Sequence, residues 1–125
     1  MKLTACITIA SLLMYIWTFI NVGKARGHYK INAPSCEGPV EFLSVLRVQA
    51  NTVEQMVIFL PLLWICSTYM GDQVGAGIGA VWVIGRVIYA LGYYKSPGKR
   101  TAGFVISSMA ALTLLIASIA GVILH

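Results

Sequence analysis

Two groups of polar side chains interrupt an otherwise apolar chain of 125 residues. The groups are Arg47, Asn51 and Glu54, and Arg86, Tyr89 and Tyr93. Spacings of three and four residues put the members of each group on one face of an α-helix, because each residue turns the helix by about 100°. Two guanidinium ions, an amide, a carboxylate and two phenols suit a small zwitterion, with arginines on its carboxylates and the glutamate on its ammonium.

A purely structural interpretation of these groups competes with a binding site. Arg47 could extend to a membrane surface, and Glu54 could pair with an arginine to hold two helices together. A structural ion pair needs only two charged groups, however, whereas six polar side chains occur here. Gln49 points to the opposite side of the first group's helix and needs a different partner.

The elements that carry these groups are predicted to cross a membrane. Hydrophobic residues make up 58% of the chain and charged residues only 10%, whereas about 25% of a soluble domain is charged. Crossing a bilayer takes roughly 20 apolar residues in a helix. Four stretches qualify, at residues 3–22, about 42–70, 74–94 and about 101–124. We predict an all-α protein with one four-helix transmembrane domain over residues 1–125.

Loop charges predict how the helices are oriented. The basic residues between spans are Lys24, Arg26 and Lys30 after the first and Lys95, Lys99 and Arg100 after the third. The opposite side carries Lys2 and Asp72. Basic loops favour the cytoplasm, so both termini are expected on the non-cytoplasmic side. Topology explains these short clusters, and no nucleic-acid partner is expected.

Counting residues from the turn at Asp72 predicts that the two polar groups meet. Glu54 lies 18 residues before Asp72, and Tyr89 lies 17 residues after it. At about 1.5 Å per residue, both lie roughly 25–27 Å from that turn, near the cytoplasmic boundary of the bilayer core. The two groups are therefore level with each other and with the basic loops.

The cysteines, glycines and one proline predict packing features rather than chemistry. Three cysteines without metal-ligand spacing predict neither a disulfide framework nor a metal site. Gly71, Gly75 and Gly79 recur every fourth residue, which allows close helix packing. Pro61 removes one backbone hydrogen bond from the second span and predicts a kink there.

Both polar groups resemble motifs of the MAPEG family, the membrane-associated proteins in eicosanoid and glutathione metabolism. The motifs are Arg47-x-Gln49-x-Asn51-x-x-Glu54 and Arg86-x-x-Tyr89-x-x-Gly92-Tyr93. The resemblance runs without gaps from about Ala25 to Arg100. It departs from the family where a proline usually follows the glutamate by three residues, since Val57 stands there and the proline is Pro61. Gly27 stands where a relative has a second arginine.

The resemblance implies a homotrimer that binds glutathione as a co-substrate between subunits, near the cytoplasmic face. The residues predicted to bind glutathione are Arg26, Arg47, Gln49, Asn51, Glu54, Arg86, Tyr89 and Tyr93. Arg100 matches the family's catalytic arginine, which stabilises the thiolate of glutathione. A shift of one residue would give this role to Lys99.

The implied activity is that of a glutathione transferase, with glutathione peroxidase as a second activity that the same site could support. Its second substrate would be a lipophilic epoxide, activated aryl halide or lipid hydroperoxide that arrives from the bilayer. One alternative is a non-catalytic, lipid-binding member of the same family. Another is a small four-span multidrug exporter, which needs a carboxylate in its first span for proton coupling. Residues 3–22 contain no acid, which argues against the exporter.

Overall fold

A computed structural model describes all 125 residues as an antiparallel bundle of four helices. The helices are α1 (Lys2–Tyr29), α2 (Val40–Met70), α3 (Asp72–Lys95) and α4 (Thr101–Leu124). A 3₁₀ turn at Pro97–Arg100 joins α3 to α4. Each helix is long and apolar enough to span a bilayer, because a helix satisfies its own backbone hydrogen bonds where water is absent. The protein is an integral multi-pass membrane protein, as the composition predicts.

The helix ends follow local backbone chemistry. Between α2 and α3 only Gly71 is non-helical, with a φ of 105°, a conformation that glycine adopts without steric cost. Its N–H donates to the Ser67 carbonyl at 3.1 Å, so one residue is enough to reverse the chain. The predicted turn at Asp72 is correct to within one residue.

Helix α1 is longer than predicted. The apolar run ends near Val22, but the helix continues to Tyr29 and ends where Lys30 adopts the left-handed conformation, with a φ of 56°. Lys24 and Arg26 therefore lie on the last two turns of α1, and their assignment to a loop is wrong. The helix continues because no proline or polar turn sequence stops it before Lys30; loss of hydropathy does not by itself end a helix.

Aromatic stacking and close helix contacts fill the bundle centre. The rings of Phe59 and Trp82 stack at 3.8 Å between centroids with an interplanar angle of 4°. Gly75 and Gly79 pack as predicted, since a Cβ atom at either would overlap side chains of α2. Gly71 does not pack in this way and serves in the turn instead.

A polar cluster closes the bundle at the end where α1 begins. The Asp72 carboxylate accepts hydrogen bonds from the backbone N–H of Leu3 at 3.0 Å and of Thr4 at 2.8 Å. The Thr4 hydroxyl lies 2.6 Å from the same carboxylate and 2.7 Å from the Ser67 Oγ. Asp72 thus caps the first turn of α1, whose N–H groups have no partners within their own helix.

Candidate functional site

The two predicted polar groups meet in a cleft at the other end of the bundle. The cleft has a volume of about 430 Å³ and is lined by Arg47, Asn51, Tyr89, Tyr93, Arg100, Thr101 and Phe104. Helices α2 and α3 supply the first four residues, the 3₁₀ turn supplies Arg100, and α4 supplies the last two. The prediction that the two polar groups meet is confirmed by the hydrogen bond from Arg86 on α3 to Asn51 on α2.

Arg86 lies behind the cleft and is fully buried. Its Nη2 donates to Asn51 Oδ1 at 2.8 Å and to Thr52 Oγ1 at 2.9 Å. Its guanidinium carbon lies 4.1 Å from the centroid of the Tyr89 ring, a distance at which cation and ring attract each other. Nε and Nη1 have no hydrogen-bond partner within the chain. Arg86 therefore holds two wall residues of the cleft, Asn51 and Tyr89, and places a positive charge behind them.

The bond from Arg86 fixes the orientation of the Asn51 amide. Because Oδ1 accepts from Arg86, the Nδ2 group is the part of this amide left to interact with other groups. Asn51 is half-buried and lines the cleft. It therefore offers two N–H donors to a bound molecule, which suits a carboxylate or an amide carbonyl.

Tyr89, Tyr93 and Arg100 contact one another in series along the cleft. The two tyrosine rings meet edge to face, with centroids 5.6 Å apart. The guanidinium carbon of Arg100 lies 5.3 Å from the centroid of the Tyr93 ring. Arg100 is exposed, and its Nη1 donates to the Pro97 carbonyl at 3.0 Å. The cleft therefore has arginines on two sides, Arg47 from α2 and Arg100 from the turn.

Four of the eight residues predicted to bind glutathione do not line this cleft: Arg86, which lies behind it, and Arg26, Gln49 and Glu54. Arg26 donates from Nη1 to the Ser35 carbonyl at 2.8 Å and lies over the Phe42 ring. Gln49 donates to the Tyr15 hydroxyl of α1 at 3.1 Å, which confirms that it faces away from the other residues of its motif. Glu54 is exposed on α2. Within one chain, Arg86 pairs with Asn51 and Thr52 rather than with Glu54.

Sequence reasoning missed three residues of the cleft region. Thr52 is fully buried and accepts from Arg86, but a lone hydroxyl next to Asn51 carries no distinctive pattern. Thr101 and Phe104 line the cleft from the first turn of α4. Their spacing of three residues, directly after Arg100, is the signal that could have indicated them.

An apolar groove of about 430 Å³ lies beside the cleft. It is lined by Cys36, Val40, Leu43, Ser44, Leu46, Arg47, Ala50, Tyr93 and Pro97. Arg47 and Tyr93 line both spaces. The fold and the two spaces together define a small four-helix membrane protein with a cationic cleft next to an apolar groove.

Comparison with known proteins places the chain in a family. Residues 4–120 match the sequence profile of the MAPEG family. An uncharacterised protein of Synechocystis sp. is 40% identical over 119 residues, which cover 95% of this chain and 87% of that protein. The Homo sapiens microsomal glutathione S-transferase 2 is 37% identical over 115 residues, 90% of this chain and 78% of that protein. The Cavia porcellus leukotriene C4 synthase is 31% identical over 123 residues, 98% of this chain and 82% of that protein. The chain belongs to the MAPEG family, as its two motifs predict.

Proposed function

We propose that this protein is a membrane-bound glutathione transferase that conjugates glutathione to a lipophilic electrophile. The observation that carries the proposal is the cleft in which Arg47, Asn51, Tyr89, Tyr93 and Arg100 come together. Glutathione has two carboxylates, two peptide groups, an ammonium and a thiol. Arginine guanidinium groups bind carboxylates in forked geometry, and the amide of Asn51 donates to a carbonyl or carboxylate. A microsomal glutathione S-transferase among the relatives supports the same substrate.

The proposed chemistry is the activation of a thiol by Arg100. A positive charge beside sulfur favours the thiolate, which is the nucleophilic form. The thiolate attacks an electrophilic carbon, so that an S–C bond forms while the C–O bond of an epoxide breaks and the resulting alkoxide takes up a proton. With an activated aryl halide, the halide leaves instead. The adjacent apolar groove supports a lipophilic second substrate, since it shares Arg47 and Tyr93 with the polar cleft.

A peroxidase activity would use the same thiolate. The thiolate would attack the distal oxygen of a lipid hydroperoxide, so that an S–O bond forms while the O–O bond breaks. The alkoxide that leaves takes up a proton to become the alcohol, and glutathione is left as a sulfenic acid. A second glutathione would displace water from this sulfur and form the disulfide.

We also propose that the site is completed between subunits of a homotrimer. Glu54 is exposed on a spanning helix, and a carboxylate facing lipid costs up to about 2.5–3.5 kcal/mol at the bilayer centre. A neighbouring copy would cover it and bring it to a bound ammonium. Arg26 and Gln49, which do not line the cleft of their own chain, would contribute to the site in the same way. The basic residues near the cleft favour its location at the cytoplasmic face.

Glutathione binding and turnover by the detergent-purified protein test the proposal. Calorimetry measures binding, and conjugation of glutathione to a chlorinated nitrobenzene measures turnover. We expect Arg100→Ala to lower kcat by about 100-fold, in the range found for loss of one group that stabilises a developing charge. Lys99→Ala is the matched control in the same turn and should keep the wild-type rate.

The outcomes separate the alternatives. A wild-type protein that binds no glutathione would exclude the proposal. Binding without turnover would favour a non-catalytic, lipid-binding protein. Full activity of Arg100→Ala with loss of activity in Lys99→Ala would move the thiol-activating role to Lys99. Loss of glutathione binding in Glu54→Ala would support its contact with the ammonium.

A further inference from the structure

The 3₁₀ turn that carries Arg100 rests on the backbone of Gly92 in α3. A Cβ atom at residue 92 would lie 3.0 Å from the Lys99 carbonyl carbon, closer still to its oxygen, and 3.7 Å from the Arg100 backbone nitrogen. Non-bonded carbon atoms lie about 3.5–4.0 Å apart at their optimum. The opposing atoms belong to the backbone, so a side chain at residue 92 cannot be accommodated by rotating a flexible group.

Backbone hydrogen bonds tie the turn to the same glycine. The Ser96 N–H donates to the Gly92 carbonyl at 3.1 Å, and the Lys99 N–H donates to the Ser96 carbonyl at 2.9 Å. Arg100 in turn bonds to the Pro97 carbonyl. The backbone of the turn is therefore held against α3 at Gly92, by hydrogen bonding on one side and by direct contact on the other, and this sets where the Arg100 side chain begins.

We propose that Gly92 is a positioning residue for Arg100, because its lack of a side chain lets the turn approach α3 and places the guanidinium at the cleft. This inference rests on the proposed role of Arg100 in stabilising the bound thiolate. Alanine at residue 92 would push the turn outward by roughly 0.5–1 Å. A misplacement of about 1 Å can lower a rate by about 100-fold.

Displacement of the turn in Gly92→Ala should lower the catalytic rate more than the affinity for glutathione. Arg47, Asn51 and Tyr89 lie on α2 and α3 and do not depend on the turn. They are the other charged and polar groups that face the cleft on these helices, together with Tyr93. Gly92→Ala changes none of these residues and leaves their helices in place, so most of the contacts with glutathione should remain.

The test compares Gly92→Ala with Gly77→Ala in detergent-purified protein. Gly77 lies on the same helix, and a Cβ atom there would meet nothing within 4 Å. We expect Gly92→Ala to keep the glutathione Kd within about threefold while kcat falls about 100-fold at neutral pH. The pH dependence of kcat should shift upward by about one unit, because a more distant cation stabilises the thiolate less. The ultraviolet absorbance of bound thiolate should fall at neutral pH, and Gly77→Ala should match wild type throughout.

A double-mutant cycle with Arg100→Ala shows whether Gly92 acts through Arg100. If it does, Gly92→Ala has little further effect on kcat once Arg100 is gone. Additive losses would overturn the proposal, and so would equal losses of affinity and kcat or a wild-type pH profile in Gly92→Ala. If Gly92→Ala does not fold, Pro97→Gly serves as a second variant, because it loosens the turn without adding an atom. It should lower kcat about tenfold with the same pH shift. A wild-type pH profile of kcat in Pro97→Gly would overturn the proposal.

A wild-type protein without glutathione binding would contradict both the proposed function and the role of Gly92. An active wild-type protein with an additive double-mutant cycle would contradict only the role of Gly92.

Discussion

Thr52→Val tests the network that holds Arg86 in the bundle. Thr52 is fully buried, and its hydroxyl is one of two acceptors for the Nη2 group of Arg86. Valine has nearly the same shape as threonine but cannot accept a hydrogen bond. The substitution therefore removes one hydrogen bond from a buried cation whose Nε and Nη1 already have no partner within the chain.

The expected loss of stability follows from the burial of the Thr52 hydroxyl and the Arg86 guanidinium. A hydrogen bond to a charged group contributes about 1.5–3 kcal/mol, and a buried donor that loses its partner costs a similar amount. Asn51 still accepts from the same nitrogen at 2.8 Å, so the lower part of this range applies. We expect the free energy of unfolding to fall by about 1–2 kcal/mol. For a chain of this size, that lowers the thermal midpoint by roughly 4–10 °C.

Thermal unfolding in one detergent, followed by circular dichroism, measures the effect. Thr113→Val is the matched control, because the Thr113 hydroxyl is exposed and bonds only to the Met109 carbonyl of its own helix. We expect this control to lie within about 0.5 kcal/mol of wild type. If the thermal midpoint of Thr52→Val equals that of the control and of wild type, the Thr52 hydroxyl does not stabilise Arg86, and the description of the network is wrong.

Two further predictions concern the cleft wall and the opposite end of the bundle. Asn51→Asp replaces the free N–H donors with a carboxylate that pairs with Arg86. We therefore expect the glutathione Kd to rise about tenfold, or 1.4 kcal/mol, without loss of thermal stability. An unchanged Kd in calorimetry would contradict the assigned amide orientation. Thr4→Val removes the hydroxyl that bonds to Asp72 and Ser67, so we expect a loss of about 1–2 kcal/mol and faster hydrogen exchange at the start of α1, whereas exchange near the cleft should not change.

The arrangement of the site explains how a small membrane protein can keep charges in its spans. Arg86 is surrounded by protein, with two oxygen acceptors and an aromatic ring. Arg47 and Arg100 lie at the open cleft, where water or an anionic ligand can reach them. A charge in a spanning helix is less costly in such surroundings than in hydrocarbon. Glu54 is exposed on α2 and does not line the cleft of its own chain, which supports the proposed trimer.

The sequence by itself determined the membrane class, the four helices and the meeting of the two polar groups. Apolar runs of about 20 residues have one stable form in lipid, the helix, because no water is present to satisfy the backbone. Helical periodicity then decides which residues share a face. It predicted that Arg47 and Asn51 lie on one face of α2, that Gln49 points the opposite way, and that α2 meets α3. The structure confirms all three predictions.

The tertiary structure decided which of the predicted residues touch one another. Periodicity could not show that Arg86 points to Asn51 and Thr52, because side-chain direction depends on the distance and angle between helices. It could not show that Arg26 bonds to Ser35 in the loop that follows. The extension of α1 to Tyr29 depends on capping rather than hydropathy.

The position of Arg100 depends on both the sequence and the tertiary structure. Its number in the chain and its match to the family motif come from the sequence. Its place at the cleft depends on a 3₁₀ turn that lies against the backbone of Gly92. Residue types alone do not predict this contact, because it depends on how the chain folds back after the end of α3.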